Sequence, residues 1–230
     1  METTGKALVA EFVGTFALIL IGAGAVVLNS IGDLDLVGVA LAHGLVLAIM
    51  VSIAGHTSGG VFNPAVAVAL WVTGRLPSAR TVAYIVVQLV AAVAGAFLLK
   101  YLVDDHRVFS QAAAGAPQVA QGVEIGRAII IEAVTTFFLV WAVFGTAVDD
   151  RGPFGKTAGL TIGLVIAFDI LAFGPYTGAA MNPARWFGPA VAGGLWNDWY
   201  VYIVGPLAGG VLAGLGYWAT FLRDREPATP

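Results

Sequence analysis

The sequence predicts an all-α membrane protein: six transmembrane helices plus two re-entrant half-helices, arranged as an inverted repeat. Three observations carry that prediction. Of the 230 residues, 59% are hydrophobic and 11% charged, with a mean hydropathy of +0.88; a soluble domain has roughly 45–50% apolar and about 25% charged residues. Six stretches approach the ~20 apolar residues that a membrane helix needs. Two Asn-Pro-Ala triplets, at 63–65 and 182–184, open apolar stretches too short to span.

The spans are read at 6–29, 36–55, 81–102, 125–147, 157–173 and 199–222. The first is long and holds Glu11 and several glycines, so it reads as a span rather than a cleavable signal. Residues 63–73 and 182–192 are 11 residues long. At ~1.5 Å rise per residue each makes ~16 Å of helix, about half of a ~30 Å hydrocarbon core. Neither spans alone, and two meeting end to end complete a crossing. The segments before each Asn, 55–60 and 174–179, are turn-rich and read as non-helical. Such backbone is tolerated at membrane depth only where it is buried in protein or lines an aqueous cavity, and a row of carbonyls facing a narrow pore would satisfy the rule.

The two halves resemble each other. Glu132 lies 121 residues after Glu11, Asn182 lies 119 after Asn63, and Tyr202 lies 118 after Tyr84, each in a matching local context. Each half therefore has three spans and one half-helix. Three is odd, so the second half enters from the opposite face. Paired broken helices in an inverted repeat point to a site near the midplane. One channel domain over 1–230 is expected, with repeat 1 at about 6–102 and repeat 2 at about 125–222.

Loop charges set the orientation. With the N-terminus inside, Lys6, Arg75, Arg80, Arg151, Lys156, Arg223 and Arg225 are cytoplasmic, against Lys100, Arg107 and Arg127 outside. Both termini are expected in the cytoplasm, with the chain in the cell (plasma) membrane. The net charge of −3 and scattered basic residues give no nucleic-acid partner. The absence of cysteine rules out disulfides, a thiolate metal site and a cysteine nucleophile. No nucleophile–base pair or metal-ligand set stands out, so no enzyme, cofactor or metal is expected.

Asn is a strong N-cap and Pro is favoured at the first helical position. Asn63-Pro64-Ala65 and Asn182-Pro183-Ala184 thus mark helix starts. Each helix N-terminus carries about +0.5 elementary charge. Two such ends converging in mid-membrane oppose cations, protons included, while the Asn amides serve as donors to a neutral permeant.

With these motifs the sequence resembles the aquaporins, also called major intrinsic proteins. The resemblance covers nearly the whole chain: the Glu11 and Glu132 spans, G-H-T-S-G-G-V-F-N-P-A-V at 55–66, M-N-P-A-R-W-F-G-P-A at 181–190, Gln88, and G-P-L-A-G-G at 205–210. It implies a pore in every subunit, a homotetramer in membrane lipid, and a four-residue selectivity filter: His43, Ile170, Ala179 and Arg185. That set looks most like plant tonoplast intrinsic proteins, many of which pass water plus ammonia, urea or hydrogen peroxide. Ile170 and Ala179 widen the filter, while His43 and Arg185 keep donors on the path, and the Arg185 charge repels cations. His43 is read alternatively as a satisfied packing histidine.

Ionisable residues inside spans default to function. Glu11 and Glu132 are expected to brace the re-entrant loops by accepting their backbone N–H bonds, with Gln88 helping. Asp169 is expected to brace loop backbone too, with carrying a proton or raising cation entry as the alternatives, and His56 to pack and fix its loop, with pH gating as the alternative. His106 reads as a solvated residue of an outer connection, 103–124. Gly205, Gly209, Gly210 and Gly214 permit close helix contact. Trp186, after the motif Arg, and Ile203 depart from the family pattern. The expected activity is passive water flow, with ammonia, hydrogen peroxide or other small neutral solutes as further permeants. The rivals are a glycerol or small-polyol facilitator, disfavoured by His43 and Ala179, and a secondary transporter, which needs a coupling-ion site.

Overall fold

A computed structural model describes residues 4–152 and 156–225. Among these described residues six helices are long and apolar enough to cross a membrane. In chain order the elements are α1 (Thr4–Ser30), α2 (Leu36–Ser58), the half-helix α3 (Pro64–Val72), α4 (Ser78–Leu102), the short α5 (His106–Gln111), α6 (Ile125–Val143), α7 (Ala158–Thr177), the half-helix α8 (Pro183–Gly193) and α9 (Val201–Tyr217). Helices α6 and α9 continue as π turns, Phe144–Val148 and Trp218–Leu222.

Local chemistry sets the ends. The Asp35 carboxylate accepts the Gly38 N–H at 2.8 Å and starts α2. At the other end Gly59 (φ 94°) donates to the Gly55 carbonyl, and Gly178 (φ 84°) repeats this on Gly174 at the end of α7. These left-handed glycine caps correct one expectation. Residues 55–58 and 174–177 are helical, Pro175 included, because at this depth an intrahelical bond is the nearest partner for each backbone group. Only 59–62 and 178–181 are irregular.

Polarity runs inside out. Glu11, Gln88 and Glu132 are fully buried, while Val9, Val82, Ile130 and Leu212 stand more than half exposed on the outside. An apolar exterior belongs in lipid, where tight association relies on small residues and close backbones. Gly44 of α2 and Gly163 of α7 press on each other's carbonyls, and a Cβ at Gly209 would run into the Ala133 carbonyl of α6. Gly205 likewise admits the Glu132 side chain, and Gly210 and Gly214 pack on α3, as their spacing implied.

The π turn of α6 ends in Asp149, whose carboxylate accepts Arg151 Nε at 2.7 Å, Arg151 Nη2, and the Tyr217 hydroxyl at 3.1 Å. The Arg151 guanidinium holds this carboxyl well below the usual carboxylate range. This cluster ties the α6–α7 connection to α9.

Candidate functional site

Asn63 and Asn182 each do two jobs. Asn63 Oδ1 accepts the Ala65 N–H at 2.8 Å, and Asn182 Oδ1 accepts the Ala184 and Arg185 N–H groups at 2.9 and 3.3 Å. Pro64 and Pro183 follow at the first helical position, where a missing N–H costs nothing. Each Nδ2 then crosses to the other half. Asn63 donates to the Met181 carbonyl and Asn182 to the Phe62 carbonyl, both at 2.9 Å. The half-helix N-termini are thereby tied tip to tip. One N–H of each amide remains, and both side chains line the same cavity.

The irregular turns carry left-handed backbone at non-glycine residues: Phe62 (φ 48°), Ala179 (φ 44°) and Met181 (φ 53°). Each such residue costs of order 1–3 kcal/mol. Two buried carboxylates hold them. Glu11 accepts Ser58 Oγ and the Val61 N–H on Oε1 (2.7 and 2.9 Å), and the Phe62 N–H and Gln88 Nε2 on Oε2 (2.7 and 2.8 Å). Glu132 accepts Thr177 Oγ1 and the Ala180 N–H on Oε1 (2.7 and 2.9 Å), and the Met181 N–H on Oε2 (2.8 Å). Hydrogen bonds to a charged group are worth ~1.5–3 kcal/mol each, enough to offset the strain.

These bonds also aim the carbonyls. A planar trans peptide points its C=O opposite its N–H. The N–H groups of Gly60, Val61 and Phe62 turn to Ser58 Oγ and Glu11, so the carbonyls of Gly59, Gly60 and Val61 turn the other way. Ala179, Ala180 and Met181 do the same against Thr177 Oγ1 and Glu132, turning out the carbonyls of Gly178, Ala179 and Ala180. These residues line the cavities that run through the molecule.

Three cavities succeed one another. One mouth, lined by Asn29, Gln118, Gly174 and Arg185, holds about 190 Å³; the opposite one, lined by Gly59, Arg75, Leu76 and Ile162, holds about 260 Å³. The stretch between offers only about 30 Å³ to water-sized spheres, far less than either mouth. It shares His43, Ile170 and Arg185 with the first mouth, and Gly60, Val61 and Ile162 with the second.

The structure brings together the four residues of the expected filter. His43, Ile170, Ala179 and Arg185 all line the narrow stretch. Arg185 Nε donates to His43 Nε2 at 2.9 Å, and Arg185 Nη1 donates to the Gly115 carbonyl at 2.8 Å. His43 Nδ1 lies 2.8 Å from the Val39 carbonyl. Since Nε2 accepts, Nδ1 carries the proton: a neutral imidazole with both nitrogens engaged. This corrects the expectation that His43 donates to the path. It is a satisfied histidine that also shapes the wall, and Arg185 alone of the pair has N–H groups to spare. Gly22 of α1 makes room for the ring, a Cβ there lying 2.5 Å from His43 Nε2.

Several partners escaped the sequence reading. Gly115 sits in the α5–α6 connection, after Ala113 and Ala114, both at positive φ, and a Cβ on it would lie 2.6 Å from the Ala23 carbonyl. Tyr84 and Tyr202 donate to the Ser58 and Thr177 carbonyls (2.8 and 2.9 Å); their matching places in the two halves were the available signal. Trp186 is buried and stacks on Tyr202, ring centroids 5.7 Å apart. His106 is exposed, as expected. His56 is exposed as well, and among the described residues it makes no hydrogen bond to its loop, nor does Asp169 to loop backbone.

The comparisons with known proteins agree. The family model for "Major intrinsic protein" matches residues 2–217. The chain belongs to the major intrinsic protein family. This major intrinsic protein is 42% identical over 228 residues to Aquaporin TIP4-4 of Zea mays, covering 95% of this chain and 88% of the relative. It is 41% identical over 229 residues to Aquaporin TIP2-1 of Arabidopsis thaliana, covering 96% and 89%. Its fold matches the X-ray structure of the aquaglyceroporin from Plasmodium falciparum with a TM-score of 0.87 at 23% identity, over 96% of this chain and 98% of that one. As a member of this family it is a membrane channel and not an enzyme.

Proposed function

We propose that this major intrinsic protein is a passive water channel, with ammonia, hydrogen peroxide or other small neutral solutes as secondary permeants. The single observation that carries the reading is the crossed pair of asparagine bonds, Asn63 to Met181 and Asn182 to Phe62, at the narrow middle of a through-going cavity. Asn63, Pro64, Ala65, Asn182, Pro183 and Ala184 form the central junction. Glu11, Glu132 and Gln88 brace its loops, and His43, Ile170, Ala179 and Arg185 form the filter. A neutral molecule exchanges water partners for carbonyls and amide N–H groups, whereas a cation meets two positive helix ends and the Arg185 charge. The small Ala179 and the sideways tie of Arg185 to His43 and Gly115 support a filter wider than one that passes water alone.

The same reading treats the whole chain as one channel domain of two repeats, assembled as a homotetramer in membrane lipid. Its likeness to TIP-type aquaporins supports a water pore. The excess of Lys and Arg in alternate loops supports both termini on the cytoplasmic side, and the compact loops are the ground for reading the membrane as the cell membrane. Fluorescence of a tagged chain at an internal membrane alone would reassign its location without touching the pore. The deciding experiment is stopped-flow light scattering on proteoliposomes under gradients of water, glycerol, urea and ammonia. Water flux above empty vesicles with little glycerol flux is expected. Fast glycerol flux makes it a polyol facilitator, and flux that requires an ion gradient makes it a secondary transporter.

A further inference from the structure

The second half carries a ring that the first half lacks. Trp186 of α8 stands where the first half, 119 residues earlier, has Ala67. Its side chain is 2% exposed and lies almost parallel to the Tyr202 ring of α9, with centroids 5.7 Å apart and planes 9° apart. That is the offset stack aromatic pairs favour. Trp196, in the α8–α9 connection, meets the indole edge to face at 5.8 Å. The indole N–H has no hydrogen-bond partner. A buried donor left unpaired costs stability, so this position uses the ring and not its polar atom.

The stack leads to the filter from two directions. Arg185 directly precedes Trp186 in the first turn of α8. Tyr202 donates to the Thr177 carbonyl at 2.9 Å, and Thr177 Oγ1 accepts the Ala179 N–H at 3.1 Å while donating to Glu132 at 2.7 Å. Ala180 belongs to one apolar cluster with Trp186 and Tyr202. Ala179 and Ala180 line the narrow stretch, whereas neither ring does. The rings therefore stand behind the turn that forms the wall. In the first half Tyr84 holds the Ser58 carbonyl in the same way, at 2.8 Å, and Ala67 puts no ring against it. The added ring sits in the half that supplies Ile170, Ala179 and Arg185.

We propose that Trp186 is a positioning residue for solute selectivity: its stack on Tyr202 backs the 177–181 turn, so that the Ala179 wall does not yield to a neutral solute larger than water. A close-packed interior transmits strain, and the space left by a deleted side chain collapses only in part. With the indole removed, Tyr202 loses the ring it rests on. The turn, left-handed at Ala179 and Met181, then has room behind it into which to relax. The crossed bonds of Asn63 and Asn182 and the hydrogen bonds to Glu132 involve no atom of Trp186, so water still passes.

The proposal rests on the channel reading for its flux readout. Stopped flow on proteoliposomes compares urea and water permeability in wild type, Trp186→Ala and Trp186→Phe. The Ala variant is expected to raise the urea-to-water ratio severalfold with water flux retained. The Phe variant, which keeps a ring face and drops the unpaired N–H, is expected to keep the wild-type ratio. Amide hydrogen exchange reads the turn without any transport. In Trp186→Ala the Ala180 and Met181 amides should exchange severalfold faster, while those of Val61 and Phe62, held alike by Glu11, exchange as in wild type. An unchanged ratio in Ala, Phe behaving as Ala, or both turns loosening equally overturns the proposal. Should Ala lose water flux, Trp186→Leu, which fills part of the space with no ring face, must raise the ratio; an unchanged ratio there, or water flux lost in both, also overturns it. Wild type without water flux would sink the channel reading and leave the exchange result standing.

Discussion

Replacing Arg185 with Val isolates the charge of the filter from everything else that opposes cations. The guanidinium is buried and bound through Nε to His43 and through Nη1 to the Gly115 carbonyl, so it sits at a fixed place in the wall. A cation passing about 5 Å away, at an effective dielectric of about 20, meets roughly 3 kcal/mol of repulsion. At about 1.4 kcal/mol per factor of ten, that barrier is worth a few hundredfold in rate. Valine removes it and leaves His43 Nε2 and the Gly115 oxygen facing cavity water. The half-helix ends, each about +0.5 charge, remain in place. Proteoliposomes loaded with a pH-sensitive dye should show proton and sodium leak rising by about two orders of magnitude, with water flux at least retained and larger neutral solutes admitted. Leak within about threefold of wild type would refute the reasoning, since Coulomb repulsion of that size cannot be lost silently. The barrier would then belong to the asparagine junction.

His43→Phe removes the acceptor that draws Arg185 to the wall and puts a larger ring beside the path; ammonia flux should fall more than water flux, and equal losses would contradict a widened filter. Asp149→Asn tests the cluster that ties the α6–α7 connection to α9. The folded carboxyl titrates below its ordinary value because of Arg151, so its stabilisation is complete above the usual Asp pKa of about 4 and disappears as the pH falls through the lower folded value. The melting temperature of the variant in detergent should therefore lie below wild type at neutral pH and converge with it in strong acid; a constant gap would remove the ionised Asp149 from the cluster. Mercurials should not block water flux through a thiol, since the chain has no cysteine; thiol-reversible block would contradict that.

The legible parts of this protein are those where one residue type answers one physical demand. Lipid demands long apolar helices, a helix start in mid-membrane demands a cap, and a buried turn demands an acceptor. Asn63, Asn182, Glu11 and Glu132 were accordingly visible, the more so for recurring at nearly constant spacing. What escaped depended on geometry that residue type does not encode. Glycine and proline in 55–58 and 174–177 suggested irregular backbone, yet the glycine caps came four residues later and the helices ran on. Gly115 meets Arg185 through a carbonyl, which every residue has, on a turn whose left-handed residues are alanines. His43 was visible as a wall residue but not as an acceptor, because its tautomer follows from Val39 one turn earlier in α2.

The near-symmetry of the halves also bears on the proposed filter. Counting 119 residues, the spacing of the two asparagines, from His43, Ile170, Ala179 and Arg185 leads to Ile162, Val51, Gly60 and Val66. All four line the same narrow stretch, on the other side of the asparagine junction. They offer no charge and no side-chain donor. The inverted repeat thus builds two equivalent rings and makes only one of them polar. One is enough, because a pore driven by gradients presents the same highest barrier from either side. A second polar ring would add binding without adding discrimination, and conduction needs each site to release its molecule as readily as it takes it up. With Ile162, Val51 and Val66 in that ring, a water there holds on through the carbonyls of the braced turn alone, which directs it onward to the asparagines.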